Sequence, residues 1–247
     1  SAYDLADQAS QALNKKQTNQ ALSLINQAID LEPKEALFHS TKGLILDQQN
    51  KPDLALKEHD RATELYPQQF SYFLNRANTQ LALGNSAAAQ QDYQRSMKML
   101  PTSTAALQLG HLFQKIGKQS QAVSYYSQAS SAQGKAGQYA RLNLALLEIH
   151  DKPEKYLRIK HQQDSKGPLL LTVENLSPLT IKELTLVSQL FDNKRNLIKE
   201  ESWQIAEPIK AGERSRYFPV PVSYHLKQNE HVQTKIRKVL VNHSRSN

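Results

Sequence analysis

His39, His59, His111 and His150 are the side chains of this chain best suited to moving a proton or holding a metal, and their spacing serves neither task. Two histidines at i and i+4, with a glutamate beside the first, would bring both imidazoles to one zinc ion from a single helix turn. No such string occurs. The four fall at different phases of different helical segments, and no cysteine is present to complete a ligand set. His225 and His231 flank a loop and form no better pair. Gly117-Lys118 supplies part of a phosphate-binding loop, but Gln119 stands where Ser or Thr should hold magnesium, and a helix rather than a strand precedes it. Gly84-Asn85-Ser86 likewise fails as a nucleophile elbow. With no acid, base or nucleophile set, the chain is expected not to be an enzyme and to carry no metal or cofactor.

The elements around these residues explain most of them. Pro33, Pro67 and Pro101 keep a constant step of 34 residues, and Ala21, Ala55 and Ala89 keep the same step. A fixed period with a small residue at one phase and proline at another marks a helix-turn-helix unit stacked on copies of itself. Within a copy, apolar residues recur at i, i+3, i+4 and i+7, as in Leu22, Ile25 and Ile29. Proline has no N–H and clashes with the preceding turn, so it sets where each copy stops. Breakers at 48–53, 83–86 and 116–120 separate the two helices of a copy, with Gly or Asn suited to a left-handed cap. Gly43 sits where the two helices of its copy approach closely. The repeats run over about 2–35, 36–69, 70–102 and 103–136, the last slipped by one, with Gly134 in place of the expected proline. A further helical segment over 137–151 should close the stack, and Pro153 ends the helical half.

From about Gly167 the composition changes to short runs rich in β-branched and aromatic residues, at 169–173, 180–191, 202–206, 214–222 and 232–241. Residues 192–196 read as a hairpin loop and 210–213 as a turn. Pro219 and Pro221 suit an edge strand or bulge. About six strands in this length make a small antiparallel sandwich, immunoglobulin-like in architecture. The expected fold is therefore α + β and multidomain: an all-α array over 1–157 and a β-sandwich over 158–247, a division that 247 residues accommodate. The net charge of +8 belongs mostly to the β half. Lys194, Arg195, Lys235, Arg237 and Lys238 could meet an anionic membrane surface, but Lys235 and Arg237 alternate with Ile236 as a solvated strand face would, and no nucleic-acid motif accompanies them. No run is long or apolar enough to span a bilayer. The chain enters a helix directly after Ser1 without a Met, which suggests a processed or excised piece.

The agreeing phases, Gly43, Ala55, Ala62 and Pro67 in the second copy, Phe73, Ala77, Gly84, Ala89, Tyr93 and Pro101 in the third, and Gly110, Gly117, Ala122, Tyr126 and Ala129 in the fourth, resemble the tetratricopeptide repeat (TPR). The resemblance implies a superhelix whose first helices line a concave groove for a protein or peptide partner. Carried onto this chain, the groove positions are Tyr3, Ala6, Ser10, Leu13 and Asn14; Leu37, Ser40, Leu44, Asp47 and Gln48; Ser71, Leu74, Asn78, Leu81 and Ala82; Thr104, Leu107, His111, Gln114 and Lys115. The set mixes a leucine stripe with amides. It lacks the Lys and Asn residues by which chaperone-binding members clamp a terminal carboxylate, since Ala6, Ser10 and Ser71 stand at those places.

Taken in order, LINQAIDLEPKEALFHSTKGLIL, FSYFLNRANTQLALG, SMKMLPTSTAALQLG, LALLEIHDKPEKYL and LTVENLSPLTIKEL also resemble the C-terminal region of Gram-negative envelope zinc metallopeptidases. That resemblance implies a periplasmic, non-catalytic module that presents partner proteins to a protease domain outside this chain. A stand-alone TPR adaptor in outer-membrane or pilus assembly is the alternative.

Overall fold

The computed structural model describes residues 1–163, 169–214, 216–219 and 231–242. They form two compact units, Ser1–Gly137 and Gln138–Asn247. In the first, eight helices make four antiparallel pairs: α1 (Ala2–Asn14) with α2 (Thr18–Leu31), α3 (Ala36–Gln48) with α4 (Pro52–Leu65), α5 (Phe70–Ala82) with α6 (Ser86–Met99), and α7 (Ser103–Lys115) with α8 (Gln119–Ser130). The helices start where the repeat frame places them, including the early start at Ser103. Ala21, Ala55, Ala89 and Ala122 occupy one place in the four second helices and are all fully buried. A larger residue there would force the pair apart, which is why the period is visible in the sequence.

The turn inside each pair depends on one residue with positive φ: Lys16 (60°), Asn50 (58°), Gly84 (81°) and Gly117 (75°). Glycine and, to a lesser degree, asparagine adopt this left-handed conformation cheaply, whereas lysine pays a steric cost. The breaker reading located the last three turns. It had no signal for Lys16.

Among the described residues the second unit contains α9 (Lys135–Glu148) over most of its length and six strands. The strands are β1 (Leu157–Gln163), β2 (Leu169–Asn175), β3 (Ile181–Phe191), β4 (Leu197–Ile205), β5 (Arg216–Pro219) and β6 (His231–Val241). Two three-stranded sheets result, in the orders β1-β2-β5 and β4-β3-β6, with every pairing antiparallel. The chain changes sheet after β2, β4 and β5, the crossing pattern of an immunoglobulin-like sandwich. Inward residues alternate along β3, with Leu184, Leu186, Ser188 and Leu190 buried. Pro219 ends an edge strand, as its missing donor requires. Pro221 and His225 lie outside the described residues.

Two features depart from the sequence reading. The units divide after Gly137 rather than after residue 157. The helix α9 gives Ala145 and Ile149 to the sandwich core, with Leu142 and Leu146 packed against it, and buries Ala140 and Leu144 outside that cluster. Helical period identifies a buried face but not which neighbour buries it. The strand β1 was also missed, because Arg158, Lys160 and His161 break its apolar content. Two corners secure the unit. Asn175, fully buried, donates its side-chain amide to the carbonyls of Leu179, Ile209 and Lys210 and accepts from Ser177. Glu148 accepts from Lys152, Lys155 and Tyr156. Burial opposes its ionisation, but these three donors hold its pKa below the ordinary carboxylate value.

Candidate peptide-binding face

The face in question belongs to the first helix of each pair. Side chains four apart on such a helix share one surface, so the expected positions form a row on each of α1, α3, α5 and α7. On α1, Tyr3 is half exposed, sets its ring edge-on to Phe38 at 5.2 Å and donates to Glu35 at 2.7 Å. The bond to Glu35 raises the Tyr3 pKa above its ordinary value. Ser10 donates back to the Ala6 carbonyl at 3.0 Å, Leu13 packs on the core of the first pairs, and Asn14 is exposed.

On α3, Leu37 and Leu44 are exposed at 45% and 39%, so a leucine stripe does reach the surface. Ser40 does not. It is buried and accepts from Asn75 of α5 at 3.2 Å, a bond that joins the second and third pairs. Asp47 is also engaged, receiving the Thr79 hydroxyl at 2.7 Å and lying 3.0 Å from His59 Nε2. On α5, Ser71, Leu74 and Leu81 are partly buried and Asn78 is exposed. On α7, Leu107 is buried, at 7% exposure, and serves packing rather than a ligand. His111 lies edge-on to Tyr126 at 5.5 Å, and burial pulls its pKa below the ordinary imidazole value. Gln114 is exposed.

A feature the sequence reading did not foresee orders two of the amides. Tyr93 donates to Asn78 Oδ1 at 2.6 Å, and Tyr126 donates to Gln114 Oε1 at 2.6 Å. Tyr93 and Tyr126 hold the same place in the third and fourth pairs, and desolvation raises both phenol pKa values well above the usual range, so both remain donors. With its oxygen engaged, each amide offers its NH2 group. An extended chain laid along the face would find leucine side chains for its apolar residues and amide donors for its carbonyls.

Arg76 was missed as well. It grips Asp92 through two bonds of 2.7 and 2.8 Å and reaches Asp60 at 3.0 Å and Thr63 at 2.9 Å. The only signal for it was a charge inside an otherwise apolar helical stripe. Among the described residues, no group of three His, Cys, Asp or Glu side chains could hold a metal ion. His39, His59 and His111 each serve packing or a hydrogen bond of their own.

A family model described as Tetratricopeptide repeat matches residues 103–135. Serine/threonine-protein phosphatase 5 of Rattus norvegicus is 30% identical over 118 residues, 48% of this chain and 24% of the relative. Hsc70-interacting protein 1 of Drosophila melanogaster is 29% identical over 98 residues, 40% of this chain and 26% of the relative. The chain thus spans about a quarter of the length of either. Among solved structures, the crystal structure of MamA superposes with a TM-score of 0.51 at 15% identity, over 60% of this chain and 84% of that one.

Proposed function

We propose that this TPR array is a protein-interaction module whose first helices take an extended segment of a partner protein. The observation that carries the reading is the pair of tyrosine-fixed amides, Asn78 and Gln114, on the face that also exposes Leu37 and Leu44. Fixing an amide before binding lowers the entropy cost of using it. The name of the Drosophila relative, an Hsc70-interacting protein, supports a protein partner, although the residues of a carboxylate clamp are missing here. An internal segment therefore suits the face better than a chain terminus.

Photo-crosslinking from a benzophenone residue at Leu44, read by mass spectrometry, tests this. The expected products are discrete partner peptides, lost when Leu74 and Asn78 are changed to Asp while helix content is unchanged. Equal yield from that variant, or cross-links only within the chain, would defeat the reading.

The finer reading places this module beside the catalytic domain of a periplasmic zinc metallopeptidase, and the alternative is a stand-alone adaptor of envelope assembly. Support for the first is the ordered series of strings and the appended β unit. The gene upstream of Ser1 decides: a helix with a His-Glu-x-x-His motif in the same reading frame favours the protease, and a signal peptide directly before Ser1 favours the adaptor.

A further inference from the structure

Two open sheet edges face each other in the second unit. Among the described residues β1 pairs only with β2, and β6 only with β3. The Leu176 N–H donates to the Tyr156 carbonyl, which sets the alternation of the β1–β2 ladder. Leu157, Ile159 and His161 therefore turn their backbone N–H and C=O groups away from β2, toward the free edge. Across that edge, His161 Nε2 lies 2.8 Å from Thr234 Oγ1 of β6. Between the strands is a cavity of about 340 Å³, with Leu157, Ile159 and Ile236 as its apolar lining and Thr234, Lys235 and Glu154 among its polar groups.

Apart from Glu154 in the cavity lining, the charges beside this seam that lack an ion-pair partner among the described residues are cationic. On β1, Arg158 and Lys160 share Glu174, at 3.0 and 3.6 Å. On β6, Lys235, Arg237 and Lys238 are exposed and form no ion pair among the described residues. Lysines on an edge strand discourage pairing with other strands. That discouragement is selective: a neutral or basic strand gains nothing from these cations, whereas an acidic one removes their mutual repulsion.

We propose that the β1–β6 seam binds an extended acidic segment of a partner protein in which apolar residues alternate with Asp or Glu. The segment's backbone pairs with Leu157 and Ile159, one apolar side chain enters the cavity against Ile236, and its carboxylates meet Lys235, Arg237 and Lys238. Main-chain bonds supply the affinity of such strand addition, and the alternate side chains supply the specificity. An anionic lipid surface would satisfy the cations but would use neither the cavity nor the open backbone edge. The helical face is not involved, so this proposal stands or falls apart from the function proposed for it.

The test uses the whole 247-residue chain and a short synthetic peptide alternating glutamate and valine, with glutamate–serine and lysine–valine peptides as controls. Fluorescence anisotropy should show binding of the glutamate–valine peptide alone, and hydrogen exchange at the Leu157 and Ile159 amides should slow. The surface variant with Lys235, Arg237 and Lys238 changed to Glu, which leaves the core untouched, should bind roughly tenfold more weakly or worse. Ile236→Asp should also lose the peptide. Equal binding of the glutamate–serine peptide, unchanged affinity in the charge-reversal variant, or capture by phosphatidylglycerol vesicles with no peptide binding would each overturn the proposal.

Discussion

The ring of His59 fills the space that a side chain on Gly43 would need. A methyl group at Gly43 would stand 2.4 Å from His59 Cε1 and 2.6 Å from Nδ1. The same relationship recurs two pairs later, where a methyl on Gly110 would stand 2.5 Å from the Tyr126 ring. Glycine is required at both places because an aromatic ring from the second helix lies flush on the first. In the third pair Ala77 takes that place and is fully buried.

Gly43→Ala should therefore destabilise the helical unit by about 1–3 kcal/mol, the usual cost of overpacking. Thermal melts followed by the helical circular dichroism signal will show it, and His59→Ala introduced on top should recover part of the loss. A Gly43→Ala melt like that of the parent chain would show that the ring moves aside freely.

Lys16→Gly should stabilise the same unit, by about 0.5–1 kcal/mol, because it relieves a left-handed lysine at the place where Gly84 and Gly117 already stand. The gain is smaller than the full steric cost because glycine loses more chain entropy on folding. Denaturant midpoints compare the two chains, and a lower midpoint for the glycine variant would contradict the strain.

Ser96→Ala should also stabilise, by ~1 kcal/mol. The Ser96 hydroxyl is fully buried and has no hydrogen-bond partner among the described residues, while Ala28, Ala62 and Ala129 hold its place in the other pairs. A destabilised variant would show that the hydroxyl has a partner after all, such as a buried water.

Asn175→Ala should cost the β unit at least about 2 kcal/mol, since three carbonyls and the Ser177 hydroxyl lose one shared partner inside the core. Trp203 is the single tryptophan of the chain and lies in this unit, so its fluorescence reports the loss separately from the helical signal. An unaltered fluorescence transition would argue against the corner's role.

Stability of the helical unit should depend on pH through His39. Its Nδ1 lies 2.7 Å from Glu58 and its Nε2 lies 3.0 Å from the Pro33 carbonyl, two acceptors that only a doubly protonated ring can satisfy. The Glu58 bond raises the His39 pKa above its ordinary value, against the effects of burial and of Arg61. Glu58, although burial opposes it, is held low by His39 and Lys42. The histidine contribution is complete below the unfolded value of about 6.5 and is lost as pH rises through the folded pKa. The glutamate contribution is present above its unfolded value and is lost as pH falls through its depressed folded one. Melting temperature should thus fall as pH rises from about 6.5 through the raised folded pKa, and His39→Gln should remove that dependence. A flat profile in the parent chain would refute the doubly bonded ring.

Much of the helical unit was legible because packing leaves its mark at fixed places. Ala21, Ala55 and Ala89 are small because a helix presses on each of them, and Pro33, Pro67 and Pro101 end helices by chemistry that does not depend on neighbours. Lys16 escaped notice because strain leaves no compositional trace. The candidate face was legible as a set of positions but not as a surface. Ser40 and Leu107 hold the same place in their repeats as Ala6 and Leu74, and none of the four is exposed, so which of the expected positions reach the surface is a tertiary fact. The share of α9 in the sandwich core was hidden for the same reason, since its apolar stripe fits a sheet as readily as a helix.

The bonds between the second and third helical pairs bear on how the array behaves as a stack. Ser40 meets Asn75, Asp47 meets Thr79, and Asp60 and Thr63 meet Arg76, so directional bonds as well as apolar contact join these two pairs. In a linear array each junction carries its own coupling energy, and a strongly coupled junction melts and re-forms as one block. The rows on α3 and α5 therefore keep a common register: the spacing from Leu44 to Asn78 is set by these bonds, and a load applied to one row is shared by the other.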